Sequence, residues 1–369
     1  MEKLIHNQAL ALESGAILPK LEIAYCTFGE LNAAKDNAVW ICHALTANAD
    51  ASDWWEGLVG EGKLFDPAKH FIVCANMLGS CYGTTGATHI NPETGEIFGR
   101  DFPLITLRDM VHSHQILQRH LGIEKIKLAI GGSMGGQQAL EWAVMEPQLF
   151  ENICLLATNA RHSPWGIAFN EAQRMAIEAD PTLLDGSPEA GRKGLETARA
   201  IAMLSYRNYL TFEETQAENS DEKKEDFRAS SYQRHQGFKL WKRFDVLSYL
   251  TLSKAMDSHN VGRGRGGVEA ALQRIQAKTL VIGIQSDVLF PVEEQVFLAK
   301  HIPGARLEII DSLYGHDGFL IENEAIANLI RSLLKPKSEP YSHEIKVKET
   351  YLQGVRQYQK AALPGTESF

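Results

Sequence analysis

A chain of 369 residues, 44% of them hydrophobic and 22% charged, has the make-up of a globular protein that can bury a large core. Its net charge of −9 speaks against nucleic acid as a main partner, because a phosphate backbone calls for a basic face. No run is long and apolar enough to span a membrane, residues 1–7 lack the apolar stretch of a signal peptide, and the five cysteines, an odd number without metal-ligand spacing, argue against a disulfide framework. We therefore expect a cytoplasmic protein with buried free thiols, no membrane association and no metal site.

Residues 20–29 alternate partly in polarity and predict a strand in an antiparallel N-terminal part of a sheet. Residues 38–43 are almost continuously apolar, as a buried parallel strand is, and run into the polar loop Ala44-Leu45-Thr46-Ala47-Asn48. Trp54 and Trp55 read as packing anchors rather than a ligand platform. A second buried strand is expected at 71–75. The long irregular segment 76–103 follows, and its glycine- and threonine-rich part at 81–86 either borders a pocket or serves turns. Helical periodicity covers 106–121, where His112, His114 and His120 lack metal spacing and read as surface or packing residues.

The next stretch organises the chain. Leu128-Ala129-Ile130 is an apolar strand, Gly131-Gly132-Ser133-Met134-Gly135 is a Gly-x-Ser-x-Gly turn, and a helix with Ala139, Leu140, Trp142 and Ala143 follows. Such a turn strains the serine backbone and exposes its hydroxyl at the positive end of a helix, where developing negative charge is favoured. Glycine-rich turns also arise by chance. The flanking strand and helix are the context that favours a nucleophile.

A further strand is expected at 152–158, after which the pattern changes. From 161 to 274 there is helical periodicity, at 168–179 and 195–209, and almost no strand signal. The charged run 213–227 reads as a solvated loop or helix face. The glycine- and arginine-rich 261–267 reads as a mobile hinge or, less simply, an anion contact. Strands resume at 279–284 and 306–310, followed by helices at 291–299 and 319–334, with one more helix expected at 347–362. The expected organisation is a core at 1–160, a helical lid at 161–274, the rest of the core at 275–335 and a C-terminal extension at 336–369.

Strands alternating with helices indicate a mostly parallel sheet with covered faces, and ligand chemistry in such sheets gathers at the carboxyl ends of the strands. Ser133, Asp287 and His316 each follow a strand there. Their order, serine then aspartate then histidine, is that of an α/β-hydrolase. A serine hydroxyl is a poor nucleophile at neutral pH, so His316 would take its proton, and Asp287 would hold the imidazole in one tautomer. The tetrahedral oxyanion would meet two amides, those of Met134 and of Leu45 in the loop after the 38–43 strand. His43, just before that loop, suits a structural role. Asp317, next to His316, could cap the helix after it or bind an ammonium group, and chemistry alone leaves these near even.

The chain resembles the MetX-type homoserine O-acyltransferases of the α/β-hydrolase superfamily. The resemblance rests on His43-Ala44-Leu45-Thr46, Asn76-Met77-Leu78-Gly79, Tyr82-Gly83-Thr84-Thr85-Gly86, Asp101-Phe102-Pro103, Phe169-Asn170-Glu171, Arg243-Phe244-Asp245 and Gly315-His316-Asp317. It implies an acyl-enzyme on Ser133, with Asp287 and His316 completing the triad and Leu45 and Met134 forming the oxyanion hole. It further implies that Arg199, Tyr206 and Asp317 bind L-homoserine. An arginine fork suits the carboxylate and an aspartate the ammonium. The expected donor is acetyl-CoA, with no permanently bound cofactor, and the expected assembly is a homodimer through the lid. Succinyl transfer, serine as acceptor and simple ester hydrolysis are the alternatives.

Overall fold

The structure is a computed structural model that describes residues 1–335; the expected C-terminal extension and its helix at 347–362 lie outside the described residues. Eight strands form the main sheet: β1 (Glu2–His6), β2 (Leu21–Phe28), β3 (Ala38–Cys42), β4 (Phe71–Ala75), β5 (Leu128–Gly132), β6 (Asn152–Leu156), β7 (Lys278–Ile284) and β8 (Arg306–Ile310). Their order across the sheet is β1-β2-β4-β3-β5-β6-β7-β8. β1 pairs antiparallel with β2, and β2 antiparallel with β4, as the alternation at 20–29 predicts. Every pairing from β4 to β8 is parallel.

The four middle strands, β4, β3, β5 and β6, are buried at every position, which is why their sequences read as unbroken apolar runs. Alternate side chains feed two cores. Val39, Ile41 and Ile130 face Phe319 and Ile330 on one side. Trp40, Val73 and Leu155 face Trp142 and Leu117 on the other. Trp40 meets Trp142 edge to face at 5.0 Å, and His114 stacks on Trp142 at 5.7 Å. His114 is therefore a core residue. Burial pushes its pKa down to about 4, so it packs as a neutral ring whose Nε2 meets Gln138 at 2.9 Å.

Helix Leu107–His120 starts at a capping box, with Thr106 accepting from the Asp109 amide and Asp109 returning the contact. Between β6 and β7 the chain is helical: Pro164–Glu178, Arg192–Tyr206, Tyr209–Gln216, Arg228–Trp241, Val246–Asp257 and Val268–Leu272. The single helix expected at 195–209 is two helices. Asn208 caps the second by accepting from the Thr211 amide at 2.9 Å, so the backbone is extended at Arg207. The helix expected at 319–334 is likewise broken, into Gly318–Ile321 and Asn323–Leu334.

The 261–267 segment is neither hinge nor anion contact. Arg263 pairs with Glu13 at 2.7 Å, and Arg265 pairs at 2.6 Å with Glu141, which Arg108 also holds. Its charges are spent on carboxylates of the core, and the glycines there serve the tight turns between them.

Candidate active site

The site lies where β3 and β5 diverge at their carboxyl ends, the position in an open α/β sheet where loops leave in opposite directions and a crevice opens. Ser133 stands at the end of β5 with φ 56° and ψ −126°, a conformation that costs an L-residue of order 1–3 kcal/mol and persists only when neighbours enforce it. They do. The Ser133 amide donates to Leu156 O at 3.0 Å, and Thr158 Oγ1 donates to Ser133 O at 2.8 Å. The flanking glycines allow the approach: a Cβ on Gly131 would stand 2.3 Å from the Gly135 carbonyl, and one on Gly135 would stand 2.1 Å from Cys42 O. This second contact seats helix Met134–Met145 directly on the end of β3.

Met134 is the first residue of that helix, so its amide has no intrahelical acceptor and is free to meet an anion. The loop after β3 supplies Leu45. A turn closed by Ala47 N–H on Ala44 O at 3.0 Å shapes it, and His43 Nδ1 donates to the same carbonyl at 2.9 Å. His43 Nε2 accepts from the Met77 amide at 3.1 Å. Burial pushes the His43 pKa down to about 4, so this ring is a neutral brace with both nitrogens occupied.

Asp287 follows β7 in a tight turn. Its Oδ1 accepts from the amides of Leu289 at 2.8 Å and Phe290 at 2.9 Å, and its Oδ2 accepts from His316 Nδ1 at 2.6 Å. That bond leaves Nε2 as the acceptor of the imidazole. Ser286 joins the two loops by donating to Ser312 O at 2.6 Å and accepting from the Gly315 amide at 3.2 Å. Phe290 stacks on the His316 ring at 5.1 Å, Phe319 meets it edge-on at 5.3 Å, and Tyr206 lies 5.8 Å away. Among the described residues no hydrogen bond joins Ser133 Oγ to the ring; both line one cavity, and such contacts commonly tighten on substrate binding.

The cavity holds about 330 Å³ and is lined by Leu45, Thr46, Trp54, Ser133, Arg199, Tyr206, Arg243, His316 and Asp317, among others. Seven of the eight residues singled out from the sequence, Leu45, Ser133, Arg199, Tyr206, His316, Asp317 and, through its bond to His316, Asp287, are thus brought together; Met134 is the residue next to the nucleophile. Trp55 is a buried anchor, but Trp54, stacked on it at 5.1 Å, forms part of the cavity wall.

Asp317 does not cap the helix that follows it: no side-chain hydrogen bond reaches the Gly318–Ile321 turn. Its carboxylate pairs instead with Arg207 at 3.1 Å. Burial raises the Asp317 pKa, while Arg207 and then Arg199 pull it down. Arg199 forms no ion pair among the described residues; its guanidinium lies over the Tyr206 ring at 5.1 Å. Burial also raises the Tyr206 pKa, so its hydroxyl stays protonated.

Two cavity arginines escaped the sequence reading as site residues. Arg207 is exposed to Asp317 only because the helix breaks there, and the Asn208-x-x-Thr211 capping pattern was the available signal. Arg243 sits in a quoted motif, but its partners come from two distant loops. Among the described residues no cluster of histidine, cysteine or acidic side chains is arranged to hold a metal.

The family model that matches, described as alpha/beta hydrolase fold, covers residues 37–322. A homoserine O-acetyltransferase of Cyclobacterium marinum is 53% identical over 326 residues, 88% of this chain and 93% of that protein. Among solved structures, a homoserine O-acetyltransferase from Bacillus anthracis superposes with a TM-score of 0.85 at 25% identity, covering 92% of this chain and 98% of that one. The acetyl esterase MekB superposes with a TM-score of 0.79 at 28% identity, covering 90% and 96%.

Proposed function

This chain belongs to the homoserine O-acetyltransferase family, on the alpha/beta hydrolase fold, and from that premise we propose that it moves the acetyl group of acetyl-CoA to the side-chain hydroxyl of L-homoserine, a step of methionine biosynthesis. The observation that carries the mechanism is one cavity holding Ser133, the Asp287-bound His316, and Arg199 and Asp317 together. Ser133 Oγ attacks the thioester carbonyl while its proton passes to His316 Nε2. The amides of Leu45 and Met134 receive the oxyanion. The C–S bond breaks and the departing sulfur takes the proton, leaving an acetyl ester on Ser133.

L-homoserine then enters with its carboxylate on the Arg199 fork and its ammonium on Asp317, and Tyr206 packs beside it. His316 takes the proton of the acceptor hydroxyl, whose oxygen attacks the ester, and Ser133 leaves with that proton. Clamping both ends of the amino acid puts its hydroxyl, rather than water, at the acyl carbon. The insertion acts as a lid over this second step. No permanently bound cofactor takes part. We place the protein in the cytoplasm, a reducing compartment suited to its free thiols Cys42, Cys74 and Cys154. Two copies pair through the lid, where Leu204, Tyr209 and Leu210 are exposed; sedimentation at increasing concentration tests this.

The chemical test follows CoA release and acyl products by mass spectrometry, with acetyl-CoA or succinyl-CoA as donor and L-homoserine, L-serine or water alone as acceptor. Acetylated Ser133 and O-acetylhomoserine are the expected species. If the acetyl group ends on water whether or not homoserine is present, the protein is an esterase, as the likeness to an acetyl esterase allows.

A further inference from the structure

Arg243 lies at the turn after helix Arg228–Trp241, in the inserted helices, yet its guanidinium bridges two loops of the core. Nη1 donates to the Thr46 carbonyl and, at 2.9 Å, to the Tyr82 hydroxyl, while Nη2 reaches Thr46 Oγ1 at 3.4 Å. Thr46 directly follows Leu45, one of the two proposed oxyanion donors. On the other flank of the same turn, the Ala44 carbonyl is held by His43 Nδ1 and by the Ala47 amide. The turn presenting the Leu45 amide is thus gripped at Ala44 by the core and at Thr46 by the insertion.

The grip is itself braced. Phe244 is buried and meets Tyr82 edge to face at 5.7 Å and Tyr249 at 6.2 Å, which fixes the 242–244 turn. The Tyr82 carbonyl accepts from Asn76 Nδ2 at 2.8 Å, and Asn76 Oδ1 accepts from the Ala49 amide at 2.9 Å, at the far end of the same loop. A planar fork serves this task and an ammonium does not, because two acceptors on separate loops must be held at a set angle. No carboxylate pairs with Arg243 among the described residues, so the fork's work here is to hold neutral oxygens.

We propose that Arg243 is a positioning residue that aims the oxyanion hole from the insertion, making the Leu45 amide competent only while the insertion is seated. This rests on the acyl-enzyme reading of Ser133 but not on which donor or acceptor is used. Its consequence is a gate: when the insertion lifts, Thr46 is released and the oxyanion donor loses its alignment, so an open site that admits water is also a slow one.

The test is the rate at which a fluorophosphonate labels Ser133, which needs the triad and the oxyanion hole but neither CoA nor homoserine. Arg243→Ala is expected to slow labelling roughly tenfold or more, an ångström-scale misplacement costing up to about a hundredfold, while the KM for homoserine stays within about twofold. Arg243→Lys, which keeps the charge and loses the fork, should recover only a minor part. Tyr82→Phe, which removes one acceptor, should slow labelling less than Arg243→Ala does. Full recovery by lysine would reduce the role to charge and overturn the proposal. So would wild-type labelling rates in both Arg243→Lys and Tyr82→Phe, which decides the matter even if Arg243→Ala fails to fold. Labelling that depends on Arg243 in a protein unable to acetylate homoserine would instead leave the proposal standing and remove the transferase reading.

Discussion

The sheet core and the helical insertion build one cavity by different means. In the core, the reacting groups sit on strand ends whose positions are set by backbone pairing and by side chains with almost no exposure; Ser133 is held at both its amide and its carbonyl, and Asp287 by three donors. In the insertion, the groups proposed to meet the amino acid are long, partly exposed side chains held by a ring face or a single ion pair: Arg199 on Tyr206, and Arg207 on Asp317. The difference teaches a division of labour. Bond making tolerates little displacement and is given to rigid elements, whereas acceptor choice can be retuned by exchanging side chains on helices that carry no strand pairing.

If that division holds, damage in the core should abolish chemistry and damage in the insertion should shift affinity. Ser133→Ala is expected to lower the rate of CoA release roughly a million-fold with the cavity intact, checked by product assay and by the loss of the acetylated Ser133 peptide. Asp287→Asn keeps the shape but favours the wrong imidazole tautomer, and should cost about ten-thousand-fold in kcat.

The core also carries an acid sensitivity. Burial lowers the pKa of His43, His114 and His259 to about 4 each, and that of His162 to about 3. Above pH 6.5 these rings are neutral in both folded and unfolded chains and contribute no pH dependence. Below it the unfolded chain binds the protons first, so stability falls as the pH drops from about 6.5 to about 4, by up to about 3 kcal/mol per ring. Urea unfolding between pH 7 and pH 4.5 checks this, and His114→Phe should flatten the curve.

The smallest effects are expected in the insertion. Arg199→Ala and Arg207→Ala should each raise the KM for homoserine roughly tenfold, the order of one charge-assisted contact, while the single-turnover burst of CoA is unchanged. A burst lost in either variant would mean that the insertion shares in the acyl step beyond the grip of Arg243, and would blur the comparison.

The elements most legible in the sequence are those with a local cause. β3 to β6 are uniformly apolar because both faces are covered, the Thr106 capping box marks a helix start, and Gly131 and Gly135 announce the elbow because no side chain fits between the nucleophile helix and β3. Elements set by distant partners were misread. The 261–267 segment looked mobile because Glu13 and Glu141, which neutralise its arginines, are far away in sequence. The long helix at 319–334 looked continuous because its periodicity runs across the break at Glu322.

The amino-acid order by itself determined the strand sequence, the strained serine and the serine–aspartate–histidine order, since each follows from steric limits and periodicity within a few residues. Only the folded chain decided which long side chains meet. Arg207 reaches Asp317 across 110 positions and Arg243 reaches Thr46 across 197. Such pairs cost conformational entropy that no local pattern records, and they form because packing of the inserted helices on the core has already brought their backbones together.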